Sequence, residues 1–196
     1  MRLWLALLIT GTVSAETACE KLARWPAAKK TALGPIVALG ASVTAGYGGV
    51  TGPAERLADL LDLDYDQYAA SGATSAVSLA QWRAEGGACG TLVGVDTFFW
   101  DTVRGCGTGA VAAVVAQATK VSCDRIILAT VPRLLPVQRG GCLGAVNQDV
   151  ESHKDIEVLP AAAERRAEHF RDDRIHLTEA GAQAATERLC QVILDT

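Results

Sequence analysis

Histidine and asparagine are scarce in this chain, with three copies and one copy among 196 residues. Aromatic residues are also few, at 5%. The 18 basic residues are scattered among 22 acidic ones, so the clustered cationic face that a nucleic-acid partner requires is missing. No apolar run approaches the roughly 20 residues of a membrane-spanning helix, which argues against stable membrane insertion. Cys-x-x-Cys pairs, a phosphate-binding glycine loop, a His-Glu-x-x-His motif and a calcium loop are all absent from the sequence. No metal or cofactor is therefore expected. A loose Gly-x-Gly-x-x-Ala pattern at Gly107, Gly109 and Ala112 does not follow a strand, and it is not read as a dinucleotide site.

What is present suits one compact domain. Hydrophobic residues make up 49% and charged residues 20%, which excludes a disordered or fibrous chain. Residues 1–15 read as a signal peptide: Arg2 supplies the positive start, 3–9 the apolar run, and Val13-Ser14-Ala15 the small-residue cleavage site. Export to the periplasm or beyond is expected, with 16–196 as the mature domain. All six cysteines lie after that point, and an even count in an oxidising compartment implies three disulfides. Of the fifteen connectivities that six cysteines allow, the layout favours one. Cys89 and Cys123 each precede an expected strand, Cys106 and Cys142 would share the opposite rim, and Cys19 would tie the N-terminus to Cys190.

From Pro35 onward, short apolar runs alternate with helical stretches. Strands are expected at 36–39, 65–69, 92–99, 125–131 and 156–159, and helices at 53–63, 74–84, 109–121, 160–170 and 179–193. Pro53 suits the first turn of its helix and Thr178 suits an N-cap. The stretch 133–155 is less periodic and reads as a long loop with a short helix. Such alternation predicts parallel strands with helices on both faces. Ligands in these sheets bind beyond the carboxyl ends of the strands, which directs attention to the residues just after Leu39, Ala69, Val95 and Val131.

Ser42 lies just past the first expected strand, in Gly40-Ala41-Ser42-Val43-Thr44-Ala45-Gly46-Tyr47-Gly48. A nucleophilic serine needs a sharp turn that exposes its hydroxyl and donors for the oxyanion. Thr44 fills the last glycine slot of the Gly-x-Ser-x-Gly elbow, which weakens an α/β-hydrolase reading. His153 and His169 sit among charged residues and read as surface positions. His176 differs, being flanked by Ile175 and Leu177, preceded by Asp173, and trailed at once by a helix. An aspartate three residues before an imidazole can hold its tautomer and stabilise the imidazolium formed when it takes a proton from serine. Imidazole suits that task because its ordinary pKa of about 6.5 lies near working pH.

Taken together, Gly-x-Ser-x-x-x-Gly after the first strand and Asp-x-x-His before the last helix resemble the SGNH/GDSL hydrolases. The first segment is most similar to the bacterial arylesterase, thioesterase and lysophospholipase branch. Ser71-Gly72-Ala73-Thr74-Ser75 resembles that branch's second block, and Asp173-Arg174-Ile175-His176-Leu177-Thr178-Glu179-Ala180-Gly181 resembles its last. The resemblance implies a flavodoxin-like three-layer α/β/α sandwich around a parallel sheet and metal-free serine ester hydrolysis through an acyl-enzyme. By it Ser42 is the nucleophile, His176 the base, Asp173 its orienter, and the Ser42 and Gly72 amides oxyanion donors.

Departures from the pattern fall at Ala41, Ala73 and the third block. There the family's Gly-x-Asn-Asp is replaced by Gly94-Val95-Asp96, with either Val95 or Asp96 in the asparagine slot depending on register, so the asparagine that serves the oxyanion is missing. An ionised Asp96 would repel an oxyanion, so it must be protonated, turned away or used otherwise. The sole asparagine, Asn147, lies in the aperiodic stretch. Phe98, Phe99 and Trp100 are candidate walls of an acyl pocket, and Asp101 reads as a helix cap. The expected substrate is a small or lipid-like acyl ester. Two alternatives stay open: a carbohydrate O-acetylesterase with the same triad, and an exported binding domain weakened by the missing asparagine.

Overall fold

The computed structural model describes residues 15–107, 109–134, 138, 140–160 and 167–196. Apart from Ala15, the expected signal peptide lies outside the described residues, as does most of the helix expected at 160–170.

Five parallel strands form the sheet: β1 (Ile36–Gly40), β2 (Tyr65–Ala69), β3 (Thr91–Gly94), β4 (Arg125–Ala129) and β5 (Glu157–Leu159), in the order β2-β1-β3-β4-β5. Every residue of β1 is buried, as its unbroken Ile-Val-Ala-Leu-Gly run demands of a strand covered on both faces. β2 lies at an edge, and polar Asp66 and Gln67 there are exposed.

The alternating side chains of the sheet feed two cores. On one face Ile36, Ala38 and Ile127 pack with Leu22 of α1 (Ala18–Ala23), Leu57 and Leu61 of α3 (Pro53–Leu61) and Leu189 and Ile193 of α8 (Glu179–Leu194). On the other, Val37, Leu39 and Leu128 meet Trp82 of α4 (Ser75–Glu85), Phe99 of α5 (Phe99–Arg104), Val114 of α6 (Ala110–Lys120) and Val150 of α7 (Gly140–Ser152). Each fully buried Leu or Ile contributes roughly 1.5–3 kcal/mol relative to exposure. The result is the three-layer α/β/α arrangement that the sequence pattern implies.

Local chemistry sets the element ends. Pro53 opens α3 at its first turn, and Thr178 caps α8 by accepting from the Gly181 amide at 3.2 Å. α1 and the five-residue α2 (Ala27–Thr31) were not foreseen, although Thr17 and Glu20 form a capping box that marks α1.

Two expectations are corrected. The strand expected over 92–99 stops at Gly94, because Asp96 and Thr97 turn inward to bond the β1 segment and Phe98 begins the approach to α5. The stretch 133–155 holds a 13-residue helix, α7. Its buried Cys142, Val146 and Val150 recur every four residues, a period that Gly141 and Gly144 obscure in the sequence.

The three disulfides are those that the layout favours. Cys19–Cys190 joins α1 to α8, Cys89–Cys123 joins the segments entering β3 and β4, and Cys106–Cys142 joins the end of α5 to α7, with Cα separations of 5.1, 4.7 and 4.8 Å. No helix among the described residues is long and apolar enough to cross a membrane.

Candidate active site

Ser42 sits two residues beyond β1 and is 3% exposed. The chain turns tightly there: the Ala45 amide donates to Ala41 at 2.9 Å and the Tyr47 amide to Ser42 at 3.0 Å. Gly46 takes a left-handed φ of 74°, which a side chain would resist. The last carbonyls of β1 are satisfied from either side, Leu39 by the Thr97 hydroxyl at 2.7 Å and Gly40 by the Ser78 hydroxyl at 2.8 Å.

Asp96 occupies the concave side of this turn. Its Oδ1 accepts from the Ala41 amide at 2.9 Å and the Thr44 hydroxyl at 2.6 Å, and its Oδ2 from the Val43 amide at 2.8 Å. Of the three possibilities open from sequence, Asp96 is used otherwise: it clamps the serine turn. A carboxyl group can do this because it accepts on both oxygens, whereas an asparagine would present an N–H to one of those donors. Gly40 makes the clamp possible, since a Cβ there would overlap both Thr44 Oγ1 and Asp96 Oδ1.

The opposite wall comes from the end of the chain. Phe170 and Leu177 pair as an antiparallel bridge, and between them the Arg171 amide donates to the His176 carbonyl at 2.8 Å. Within that loop Asp173 Oδ1 accepts from the amides of Ile175 and His176, at 2.9 Å each, while its Oδ2 lies 2.6 Å from His176 Nδ1. The other ring nitrogen, Nε2, lies 2.9 Å from Ser42 Oγ. Partial burial pushes the Asp173 carboxyl pKa up, but the bonds from His176 and Ile175 and the imidazolium charge outweigh it, bringing the pKa down to about 2.

The fold therefore brings Ser42, His176 and Asp173 into one hydrogen-bonded line across 134 positions of sequence. Gly72, with φ of 75°, follows the β2 residue Ala69 by three positions, and Ala69 pairs with Gly40 two positions before Ser42. Both turns thus emerge side by side from the same sheet edge. Among the described residues neither the Ser42 nor the Gly72 amide donates to a protein acceptor.

A cleft of about 870 Å³, counted to its open mouth, runs from Ser42 and Asp96 between Phe99, Val131, Leu159, Phe170 and Ile175. Of the three aromatic candidates only Phe99 lines it. Phe98 is buried in the core, and Trp100 stands edge-on to Phe99 with its centroid 5.3 Å away. Asp101 does cap a helix, but not its own: it accepts from the amide and hydroxyl of Ser75 at the start of α4, at 2.8 and 2.9 Å. Asn147 is occupied on Val131, accepting from its amide at 2.6 Å and donating to its carbonyl at 2.9 Å. His169, read as a surface residue, is half-buried and borders the cleft.

Tyr47 escaped the sequence reading. Its ring stacks on the His176 imidazole, with centroids 3.6 Å apart and planes 14° from parallel. Arg171 lies 5.7 Å from the Tyr47 ring and donates to the Gly48 carbonyl at 3.0 Å. Its position between two glycines was visible in the sequence, but a partner 129 residues away was not.

No protein-family model and no curated protein matches the sequence. Solved structures do. A psychrotrophic esterase from Pseudoalteromonas, inhibited by monoethylphosphonate, is 17% identical with a TM-score of 0.66, over 82% of this chain and 97% of that one. A G-D-S-L family protein from Desulfitobacterium hafniense is 20% identical with a TM-score of 0.66, over 81% and 98%. A variant of an acetyl-xylooligosaccharide esterase from Geobacillus is 17% identical with a TM-score of 0.58, over 83% and 96%. With its all-parallel five-stranded sheet between two helical layers, the chain has the fold of the GDSL/SGNH hydrolases.

Proposed function

We propose that the protein is an exported serine hydrolase of acyl esters. The reading rests on one observation, the line of Ser42 Oγ, His176 and Asp173 joined at 2.9 and 2.6 Å. With its proton on Nδ1, the imidazole donates to Asp173 and offers Nε2 to the serine hydroxyl. Ser42 attacks the ester carbonyl while His176 takes its proton, then returns it to the departing alcohol, leaving an acyl-serine. Water, deprotonated by the same imidazole, releases the acid and restores the serine. Asp173 stabilises the imidazolium at both stages.

The Ser42 and Gly72 amides, free of protein acceptors, suit the oxyanion. With Asp96 bound to the serine turn, no asparagine side chain assists them, and one missing donor costs on the order of 10²–10³ in turnover. The enzyme is expected to be slow for its type. The apolar cleft favours an acyl chain longer than acetyl, which sets this reading ahead of a carbohydrate O-acetylesterase. The leader-like start of the sequence and the three disulfides support export.

The test is labelling with a fluorophosphonate probe together with a chain-length series of p-nitrophenyl esters. Labelling and hydrolysis that both vanish in Ser42→Ala support the reading. A wild-type protein that neither labels nor cleaves any ester sinks it.

A further inference from the structure

The cleft is apolar along most of its length, yet one arginine lines it. Arg188 lies on α8 in line with Gly181 and Ala185, two turns and about 10 Å of helical rise beyond Gly181. Gly181 stands close to the His176 end, just after the Thr178 cap. Arg188 Nε reaches the Ala184 carbonyl at 3.4 Å. Its Nη1 is buried with no acceptor among the described residues, and no carboxylate among them pairs with the guanidinium. Burial pulls its pKa below the ordinary arginine value. Asp96, the carboxyl group bordering the same cleft, is held by the serine turn.

A cation drawn partly out of water without a counterion carries a desolvation cost that nothing in the protein offsets. An arginine that only packed would lay its stem on apolar surface and turn its head to water. Here the side chain is half-buried in the wall of a binding cleft and its buried Nη1 has no acceptor among the described residues, which is the state of a group waiting for an anion.

We propose that Arg188 recognises a carboxylate at the far end of the substrate, so that the ester cleaved at Ser42 is a half-ester whose apolar acyl chain ends in an acid. The inference rests on the hydrolase reading and narrows its substrate class. The carbonyl sits at Ser42, the chain runs along Val131, Leu159 and Phe170, and the terminal carboxylate meets the guanidinium fork. Hydrolysis breaks the ester C–O bond, adds one water, and yields an alcohol and a dicarboxylic acid. The distal carboxylate is unchanged. Apolar walls strengthen the ion pair by excluding water.

The test compares p-nitrophenyl half-esters of α,ω-dicarboxylic acids with p-nitrophenyl esters of methyl-ended acids of the same chain length. At the best length the wild type should favour the acid-ended ester by about tenfold in kcat/KM, chiefly through KM. Arg188→Met should bring that ratio to one or below, and Arg188→Lys should restore part of it. A wild-type ratio at or below one, or a ratio unmoved in Arg188→Met, overturns the proposal.

Calorimetric titration of Ser42→Ala protein with the free dicarboxylic acid separates the two readings. Saturable binding that disappears when Arg188→Met is added, with no ester cleaved by the wild type, keeps the anion site and removes the hydrolase. Neither binding nor cleavage removes both.

Discussion

The Tyr47 ring lies flat against the His176 imidazole, with centroids 3.6 Å apart, and the Arg171 guanidinium lies 5.7 Å from the same ring. The contact fixes the plane of a ring that, in the proposed mechanism, accepts a proton at Nε2 without losing Asp173 at Nδ1. Aromatic contacts of this kind are worth about 0.5–1.5 kcal/mol. Tyr47→Ala should lower kcat about 2- to 12-fold. Because Tyr47 is 44% exposed, Tm should hardly move. Tyr47→Phe should keep the rate, since stacking needs the ring and not the hydroxyl. Steady-state kinetics with a thermal melt on both variants checks this, and an unchanged kcat in Tyr47→Ala would refute it.

Asp173→Asn should leave the loop folded but remove the partner that selects the imidazole tautomer, with a loss of about 10⁴ in kcat. Its folded pKa of about 2 lies below the ordinary carboxylate value of about 3.9. The bonds it accepts therefore stabilise the fold fully above pH ~4, and that support fades as pH falls from about 4 toward 2. The side chain is 40% exposed, so solvent keeps the contribution small. Thermal melts across acid pH should show a shallower decline for Asp173→Asn than for the wild type. Equal slopes would contradict the assignment.

Asp96→Asn tests whether that position is a vacant oxyanion donor or a clamp. As a clamp, the substitution loses an acceptor for the Val43 or Ala41 amide, costing about 1.5–3 kcal/mol, and kcat falls with the displaced serine turn. As a vacant donor slot, it would raise kcat. We expect the fall, read from kcat and a denaturation midpoint on the same preparation. Gly40→Ala should damage the same turn more severely, because the new methyl would overlap Thr44 and Asp96.

Of the three disulfides, Cys19–Cys190 closes the longest loop, 171 residues against 34 and 36. On the chain-entropy model its removal costs about 5 kcal/mol, compared with about 4 for either shorter loop. Paired Cys→Ala variants followed by urea unfolding should rank in that order, with Cys19→Ala/Cys190→Ala lowest in midpoint.

The sheet was legible because its central strands β1, β3 and β4 are short, largely apolar runs separated by helical stretches, and the edge strand β2 alternates with them. Strand β2 was expected over 65–69 and spans Tyr65–Ala69. What escaped had long-range causes. β3 ends early because Thr97 and Asp96 bond a strand more than fifty residues upstream. α7 hides behind its glycines and is pinned by Cys142 to Cys106. Serine, histidine and aspartate could be found from local motifs, since each motif is contiguous. Asp96's work could not, because a one-letter departure from a pattern says that a role was lost and not which role replaced it. Tyr47 meets His176, and Arg188 reaches the cleft wall, only once the chain has folded.

Ser42 follows the first strand of the sheet, and its proposed base, His176, lies just ahead of the closing helix. A chain interrupted before residue 176 lacks the imidazole that lies 2.9 Å from the Ser42 hydroxyl. On the proposed mechanism, reactivity would thus belong to the completed molecule, because the imidazole that meets Ser42 lies just ahead of the Thr178 cap of the last helix.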